Sequence, residues 1–435
     1  MLPTPPQPVS DNVSMPPAPS PPAVRPRLLW RNRDFLLLWS GQAVSTAGTQ
    51  MTDLALPLLI LALTGSAVQA GITAAFGAIP RALLSLPAGA LVDRWDRRRV
   101  MIGCDVIRVL ALGSVPLALA LHRLTMPQLY LVAFVQGSCA TFFMIARLSA
   151  LPRVVPREQL PAAVAQNEAA ESLVGLAGPP LAGALYAAGR ALPFLADAVS
   201  YAVSALSLRY IRVPFQAERA AHAAGKRLLW AEMREGLVWL WHAPLIRFMA
   251  FIYAGFALFL NGAELAWLVL ALQRGATPFI IGLLFAARGA GGLLGVLVAP
   301  RMQRRYRFGQ ILPVLQWIYP LCILVFTLVP NFFAMALADA VSMVNDQIYD
   351  IVWPSYRMAL IPDALQGRVT SAYRLFVAAM LPIGSALCGV LIQRIGAAPT
   401  LLIAVAGLSL LAVAVTFNPH VRHARPIAEL DAADA

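Results

Sequence analysis

Two acidic residues, Asp53 and Glu264, lie within long apolar stretches of the sequence. A charged side chain at membrane depth is costly, so such residues usually face a water-filled cavity or an oppositely charged partner. A carboxyl group in a cavity can also bind and release a proton, which would couple substrate movement to a proton gradient. We therefore predict proton coupling at these two positions. The alternative for each is a hydrogen-bonded structural acid.

Polar residues recur at steps of three and four in several apolar stretches, which places them on one face of a helix. A polar face on a membrane-spanning helix is expected to face a cavity or a polar partner and not lipid. The predicted substrate-contacting residues are Gln42, Thr46, Thr49, Gln136, Asn261, Ser342, Asn345, Asp346 and Tyr349. Aromatic residues that could contact an apolar substrate are Phe76, Trp267, Phe285 and Trp353, although aromatic residues in spans more often face lipid or the core.

Other charged residues in apolar stretches have structural interpretations. Asp105 and Arg108 are three residues apart, which predicts a pair on one helix face. Arg81 and Arg288 also fall within apolar stretches, and for them a structural ion pair and anion binding remain alternatives.

A dense charged turn, Gly89–Arg99, separates two of the apolar stretches. A short basic turn between two membrane spans is typical of a cytoplasmic loop. The turn also contains Asp93, an acid that this charge rule does not require. The turn therefore predicts a function beyond topology.

The apolar stretches that carry these residues are long enough to cross a bilayer. The chain of 435 residues is 59% hydrophobic and 13% charged, with a mean hydropathy of +0.69. Soluble proteins are about half apolar and about a quarter charged. The alternation of a membrane barrel is missing, so we predict an all-α polytopic membrane protein. Its twelve candidate spans are 35–63, 68–92, 100–121, 128–150, 163–189, 191–211, 244–272, 277–300, 309–329, 331–353, 369–394 and 397–417.

The basic residues set the predicted orientation. With the N-terminus in the cytoplasm, 26 of the 34 Lys and Arg residues fall on the cytoplasmic side, so topology explains the net charge of +13 better than nucleic-acid binding does. The predicted organisation has cytoplasmic, disordered residues 1–34 and a cytoplasmic tail over 418–435. Between them come two six-helix bundles, over 35–211 and 244–417, and a cytoplasmic linker over 212–243. The linker segment Lys226–Trp241 predicts an amphipathic helix on the membrane surface.

The two predicted bundles repeat one another. An offset of 206 residues relates Gly89 to Gly295, Pro156 to Pro362, Gly178 to Gly384 and Gly183 to Gly389. Two parallel six-span repeats with pseudo-twofold symmetry are typical of one class of transporter. Within the fifth span, Gly178, Pro179 and Gly183 predict a hinge, with plain helix packing as the alternative.

Several motifs resemble those of the major facilitator superfamily. Gly89-x-Leu91-x-Asp93-Arg94-x-x-Arg97-Arg98 is similar to the signature loop between helices two and three of that superfamily. Motifs that resemble bacterial exporters related to enterobactin and macrolide efflux proteins are Arg31-Asn-Arg-Asp34-Phe35, Trp39-x-Gly41-Gln42, Pro152-Arg-Val-Val-Pro156-Arg-Glu-Gln-Leu160 and Pro362-Asp363-x-x-Gln-Gly367-Arg368-Val. The sequence departs from the superfamily pattern at Asp96, which stands for glycine, at Ala133, which stands for a span-four arginine, and at Ala299, which stands opposite Asp93 in the repeat.

The resemblance implies a mechanism and a latch. It implies alternating access driven by the proton gradient, with helices one, four, seven and ten around a central cavity, which makes the polar faces of these helices the path of the substrate. It also implies that Asp93 caps the N-terminus of helix eleven and pairs with an arginine, for which Arg147 is the candidate. The residues of this predicted latch are Gly89, Asp93, Arg94, Arg97, Arg98 and Arg147. The alternative is that Asp93 is a solvated loop acid.

The sequence contains no enzymatic motif, no nucleotide-binding loop and no His or Cys cluster with metal-ligand spacing. We therefore predict a cofactor-free, monomeric transporter in a bacterial inner membrane. Its predicted function is proton-coupled efflux of a small amphipathic molecule such as a drug, antibiotic, siderophore or other secondary metabolite. The alternatives are proton-coupled uptake of a nutrient and a receptor or lipid-handling protein on the same fold.

Overall fold

A computed structural model of the protein describes residues 29–215, 234–235, 237–362 and 365–422. The long elements in these residues are all helices. They are α1 (Arg33–Thr64), α2 (Ala67–Arg94), α3 (Arg97–Ala120), α4 (Met126–Val154), α5 (Leu160–Ala188), α6 (Leu192–Tyr210), α7 (Pro244–Gln273), α8 (Pro278–Arg305), α9 (Phe308–Leu328), α10 (Phe332–Leu360), α11 (Gln366–Ile395) and α12 (Ala397–Phe417). We call α1–α6 the N-terminal half and α7–α12 the C-terminal half.

The local sequence explains where several helices begin and end. The side chain of Asn32 accepts a hydrogen bond from the Phe35 N–H, which caps the start of α1. Gly65 ends the same helix in the left-handed region, with a φ of 62°. Asp96, the residue that departs from the family pattern, caps α3 by accepting from the Arg99 N–H at 3.0 Å. This acid therefore has a local structural role in the charged turn.

Each predicted span coincides with one helix, and most bounds agree within a few residues. Nine of the helices in the described residues are long and apolar enough to cross a membrane by length and composition. The other three are α5, α6 and α10. Helix α10 carries Asp339, Asp346 and Asp350, and it also extends seven residues beyond the predicted end of its span.

The two halves have the same internal architecture. In the N-terminal half α1 packs against α5 and α6, and α4 packs against α2 and α3. In the C-terminal half α7 packs against α11 and α12, and α10 packs against α8 and α9. Between the halves α2 packs against α11 and α5 against α8, so each contact is the repeat counterpart of the other. This arrangement confirms the prediction of two pseudo-symmetric six-helix bundles.

Two close backbone contacts between the halves lie at one end of the molecule. A Cβ atom added to Gly389 of α11 would lie 2.6 Å from the carbonyl oxygen of Ala67 and 3.2 Å from the Cα of Gly71, both in α2. A Cβ atom added to Gly183 of α5 would collide with the carbonyl group of Pro278 in α8. We call these two backbone contacts the closed seam.

The closed seam lies at the end of the molecule opposite the Gly89–Arg99 turn. We call the end that carries this turn the basic end. Helix α2 begins at the closed seam and ends at the basic end, and α8 runs in the same direction. A Cβ atom added to Gly89, near the basic end of α2, would meet no atom of the described structure within 4 Å. Among the described glycines, the close backbone contacts between the halves lie at the closed seam and continue along α5 and α8, where a Cβ atom added to Gly289 would lie 2.7 Å from the carbonyl oxygen of Gly175; Gly89 makes no such contact.

The linker between the halves is described only in part. Residues 234–235 and 237–242 are helical, which covers the end of the predicted amphipathic helix; the rest of that prediction lies outside the described residues. Glu235 forms an ion pair with Arg368 at 2.6 Å, which joins the linker to the first turn of α11.

Candidate substrate cavity and its charged network

A cavity with a volume of about 130 Å³ lies within the C-terminal half. Its walls come from α7, α8, α9, α10 and α12. The residues that line it include Asn261, Glu264, Trp267, Arg288, Tyr319, Phe326, Asp339, Ser342 and Asp346. The cavity therefore lies within one half of the molecule, and it contains three of the predicted substrate-contacting residues, Asn261, Ser342 and Asp346.

Arg288 connects two acids of this cavity. Its Nη1 atom lies 3.0 Å from Oε1 of Glu264, and its Nε atom lies 3.8 Å from Oδ2 of Asp339. The guanidinium group also lies 5.2 Å from the ring centroid of Phe285. Of the two interpretations of Arg288, the structure therefore supports the ion pair.

A second acid of the cavity has a different partner. The Tyr319 hydroxyl donates a hydrogen bond of 2.5 Å to Oδ1 of Asp346. Asn345 and Tyr349, which were predicted to contact substrate, instead lie in the packed core: both are buried, and Asn345 donates to the Leu315 carbonyl at 3.0 Å. Tyr349 stacks on Tyr253 with a centroid separation of 5.6 Å. Neither residue lines the cavity, because the polar stripe of α10 is wider than its cavity-facing side.

Asp53 is exposed at the centre of α1, and the charges of Glu264 and Arg81 act on it. Glu264 is itself 51% exposed, and it lines the cavity of the C-terminal half. The two predicted proton-coupling residues come from different halves, and the charge of one acts on the other. Helix packing buries neither the Asp53 nor the Glu264 side chain.

The polar residues of α1 that precede Asp53 lie in two different environments. Thr49 hydrogen-bonds with the Tyr201 hydroxyl of α6 at 2.8 Å and thus belongs to the helix packing. Gln42 and Thr46 instead line a small pocket between α1, α4 and α5. Gln136 is half-buried on α4, outside both cavities.

The same small pocket contains Arg147, whose partner differs from the prediction. Arg147 Nη2 lies 2.6 Å from Oε1 of Glu171 on α5. The predicted partner was Asp93, whose backbone ends α2 but whose side chain lies outside the part of the chain that the structure describes. Sequence reasoning missed Glu171, because nothing in the spacing of α4 and α5 indicates which residues face one another.

The arginines of the charged turn hold neighbouring helix ends. Arg97 donates to the Ser149 carbonyl at 3.1 Å. Arg98 donates through Nε to the Leu208 carbonyl at 2.8 Å and through Nη2 to the Arg209 carbonyl, which satisfies the C-terminus of α6. Arg94 is exposed. The turn thus anchors α4 and α6 at the basic end.

Asp34 was missed as a functional residue although it lies in a motif that carried the resemblance. Its two carboxylate oxygens accept hydrogen bonds from the backbone N–H groups of Arg212 and Val213, each at 3.2 Å. This contact fixes the start of the linker against the start of α1.

The predicted pair of Asp105 and Arg108 is wrong. No ion pair joins them in the described structure. The Arg108 guanidinium lies over the rings of Tyr201, at 4.8 Å, and Phe143, at 5.6 Å. A buried hydrogen bond nearby joins Thr52 to Asp197 at 2.5 Å. Aromatic faces on α4 and α6 thus take the position that the helix spacing assigned to a carboxylate.

The predicted hinge residues lie at close helix contacts. Helix α5 continues through Gly178 and Pro179 without interruption. A Cβ atom added to Gly178 would lie 3.1 Å from Cβ of Gln50 in α1, and Gly183 forms part of the closed seam. The structure gives these residues a packing role, and a hinge there stays a prediction.

Comparison with known proteins agrees with this architecture. Over 410 residues the chain is 27% identical to the multidrug efflux pump Tap of Mycolicibacterium fortuitum, which covers 89% of this chain and 96% of that protein. It is 28% identical over 205 residues to macrolide efflux protein A of Streptococcus pyogenes, a match over 47% of this chain and 50% of that protein, so the chain spans half of that relative.

Solved structures with the same fold include two transporters. One is a point mutant of the nucleoside transporter NupG, with a TM-score of 0.72, 14% identity and coverage of 88% of this chain and 100% of that one. The other is a bacterial homologue of the iron transporter ferroportin in its inward-facing state, with a TM-score of 0.67, 17% identity and coverage of 90% and 100%.

These relatives are transporters and not enzymes, as the sequence predicted for this chain. A family model matches a larger share of this chain than any of these relatives does. Residues 29–433 match the family described as transmembrane secretion effector. The chain therefore belongs to the transmembrane secretion effectors of the major facilitator superfamily.

Proposed function

We propose that the protein exports small amphipathic molecules from the cytoplasm by alternating access, coupled to proton entry. The observation that carries this proposal is the asymmetric contact between the halves. Close backbone contacts join them at the closed seam, whereas Gly89 at the basic end meets no atom of the described structure within 4 Å, and from this difference we infer that the space between the halves opens at the basic end. Relatives named for macrolide efflux and multidrug efflux favour export among the possible directions.

The proposed orientation places the basic end and both termini in the cytoplasm of a bacterial cell. The basic loops favour this side. In that orientation the described conformation is open toward the cytoplasm, where an exporter collects its substrate.

Asp53 and Glu264 are the proposed proton carriers. Both side chains are exposed, and the charge of Glu264 acts on Asp53, which supports the assignment of both residues to one site between the halves. A proton bound to either group would reduce the electrostatic repulsion between them as the halves approach. Substrate release on the far side would then be linked to proton uptake there.

Proton flux in proteoliposomes tests this assignment. We expect Asp53→Asn and Glu264→Gln to bind substrate but to lose substrate-dependent proton movement. Glu158→Gln is the matched control, because Glu158 is an acid outside the long helices. Unchanged proton flux in both Asp53→Asn and Glu264→Gln would exclude these two residues as proton carriers.

The direction of transport requires a separate measurement in cells. A strain that lacks the gene should accumulate the substrate, whereas depletion would indicate uptake. Substrate binding without any gradient-driven movement in proteoliposomes would instead favour a receptor or lipid-handling role.

The proposed latch at the basic end remains centred on Asp93. In the described conformation Arg147 pairs with Glu171. For Arg147 to pair with Asp93 when the basic end closes, α4 and α5 would have to rearrange. We expect Asp93→Asn to be expressed normally and to transport poorly. Normal transport by this variant at normal expression would show that Asp93 is a solvated loop acid.

A further inference from the structure

We propose that the cavity inside the C-terminal half binds the protonated amine of an amphipathic substrate, and that Arg288 is a resident cation which this amine replaces. The inference rests on the proposed export function and deepens it. It assigns the chemistry of the substrate's head group and the place where that group binds.

The size of the cavity fits a head group and not a whole drug-sized molecule. Its volume is about 130 Å³. An engineered apolar cavity of about 150 Å³ binds benzene, whereas pockets for drug-sized ligands are on the order of 300–1,000 Å³. The remainder of a larger ligand would extend past Glu264, which is half-exposed.

The charge of the lining favours a cation. Three carboxyl groups, those of Glu264, Asp339 and Asp346, face one guanidinium group, that of Arg288. Tyr319 already donates to Asp346, and Arg288 approaches Glu264 most closely. The lining therefore contains more acceptor capacity than its own cation uses.

Asp339 is the acceptor that the protein leaves unsatisfied. Its side chain is only 11% exposed, and the Arg288 Nε atom lies 3.8 Å away, beyond hydrogen-bond distance. Its Oδ2 atom finds no hydrogen-bond partner in the described structure. A buried polar atom without a partner is costly, and an ammonium N–H would satisfy it.

The walls of the cavity suit the apolar surface around an ammonium group. Trp267 is buried and packs against Phe326 and Phe285, with centroid separations of 5.1 and 5.0 Å. Arg288 already lies over the Phe285 ring, so a cation at this position gains a cation–π contact. The Trp267 indole N–H has no acceptor among the described residues and would donate to a hydroxyl or ether oxygen of the head group.

The sign of the Arg288 effect separates this proposal from anion binding. If the ligand is a cation that competes with Arg288, removing the guanidinium group frees two carboxyl groups and strengthens binding. If the ligand is an anion that Arg288 holds, the same substitution abolishes binding.

The test is calorimetric titration of the full-length protein in detergent micelles with three probes of similar size: benzylamine hydrochloride, benzyl alcohol and sodium benzoate. We expect the benzylammonium ion to bind at least about tenfold more tightly than the other two. Arg288→Gln should strengthen its binding about tenfold, and Asp339→Asn should weaken it by at least as much. Arg123→Gln, which removes an exposed arginine between α3 and α4 in the other half, should leave it unchanged.

Three results would overturn the proposal: benzoate binding as tightly as benzylammonium, weaker benzylammonium binding by Arg288→Gln, or equal effects of Arg288→Gln and Arg123→Gln. If Asp339→Asn does not fold, Ser342→Leu fills the cavity and should abolish binding. No gradient is present in micelles, so benzylammonium binding without proton-coupled flux in proteoliposomes would refute the proposed coupling and leave this site standing.

Discussion

Substituting alanine for Gly183 should force the closed seam apart. The added Cβ atom would collide with the carbonyl group of Pro278 and lie 3.1 Å from the Cα of Phe279. These are backbone atoms of α8, so they cannot move aside by a rotamer change. Overpacking of this kind costs about 1–3 kcal/mol. If it falls only on the conformation that is closed at the seam, it shifts the balance of conformations about 5- to 150-fold toward the opposite-facing one.

Distances between spin labels at the two ends of the molecule measure this shift. At the closed seam we would label Leu63 and Ile395, and at the basic end Trp95 and Met358, all exposed and in different halves within each pair. The four native cysteines would first be replaced by alanine. In Gly183→Ala the Leu63–Ile395 distance should lengthen while the Trp95–Met358 distance shortens.

Gly175→Ala is the matched control on the same helix. A Cβ atom at Gly175 would meet no atom of the described structure within 4 Å, so the distances should stay as in the parent protein. Gly389→Ala, at the repeat counterpart of Gly183, should reproduce the shift. The reasoning fails if Gly183→Ala and Gly175→Ala give the same distance distributions.

Two further predictions concern stability. Arg98→Ala should lower the thermal unfolding midpoint, because it removes hydrogen bonds to the C-terminal carbonyls of α6 that contribute about 1–2 kcal/mol; Arg94→Ala, at an exposed neighbour, should change the midpoint much less. Thr52→Val should cost about 1–3 kcal/mol by removing a donor from the buried Asp197 carboxyl group. Thr52→Ser retains the hydroxyl and should lose less than Thr52→Val; equal losses in a thermal melt would contradict the hydrogen-bond explanation.

Much of the fold could be predicted from the sequence, because a membrane span requires a long apolar stretch. A charged or turn-forming loop separates each apolar stretch from the next. The repeat offset alone identifies Gly183 and Gly389 as counterparts. Both glycines prove to lie at equivalent contacts between the halves. Such positions are predictable because close backbone approach requires glycine in each copy.

The pairing of side chains could not be predicted in the same way. Arg147 contacts Glu171 and Arg288 contacts Glu264, pairs that are each 24 residues apart and lie on different helices. Which faces of two packed helices meet depends on their rotation about their axes, and a polar stripe does not fix that rotation. The same uncertainty explains why Asn345 and Tyr349 belong to the core while Ser342 lines the cavity.

The closed seam has a consequence for how the molecule changes shape. Dispersion forces between backbones act over a short range, and a gap of about 0.5–1 Å already loses about a quarter to a half of the contact energy. At the α2–α11 contact the Gln393 side chain also accepts a hydrogen bond from the Ala67 N–H at 3.2 Å, and such a bond is lost over a similarly small increase in distance. The seam is therefore bistable, because a partly opened interface loses its attraction before it gains new contacts. We expect the halves to separate cooperatively along both contacts, with few molecules at intermediate spacings.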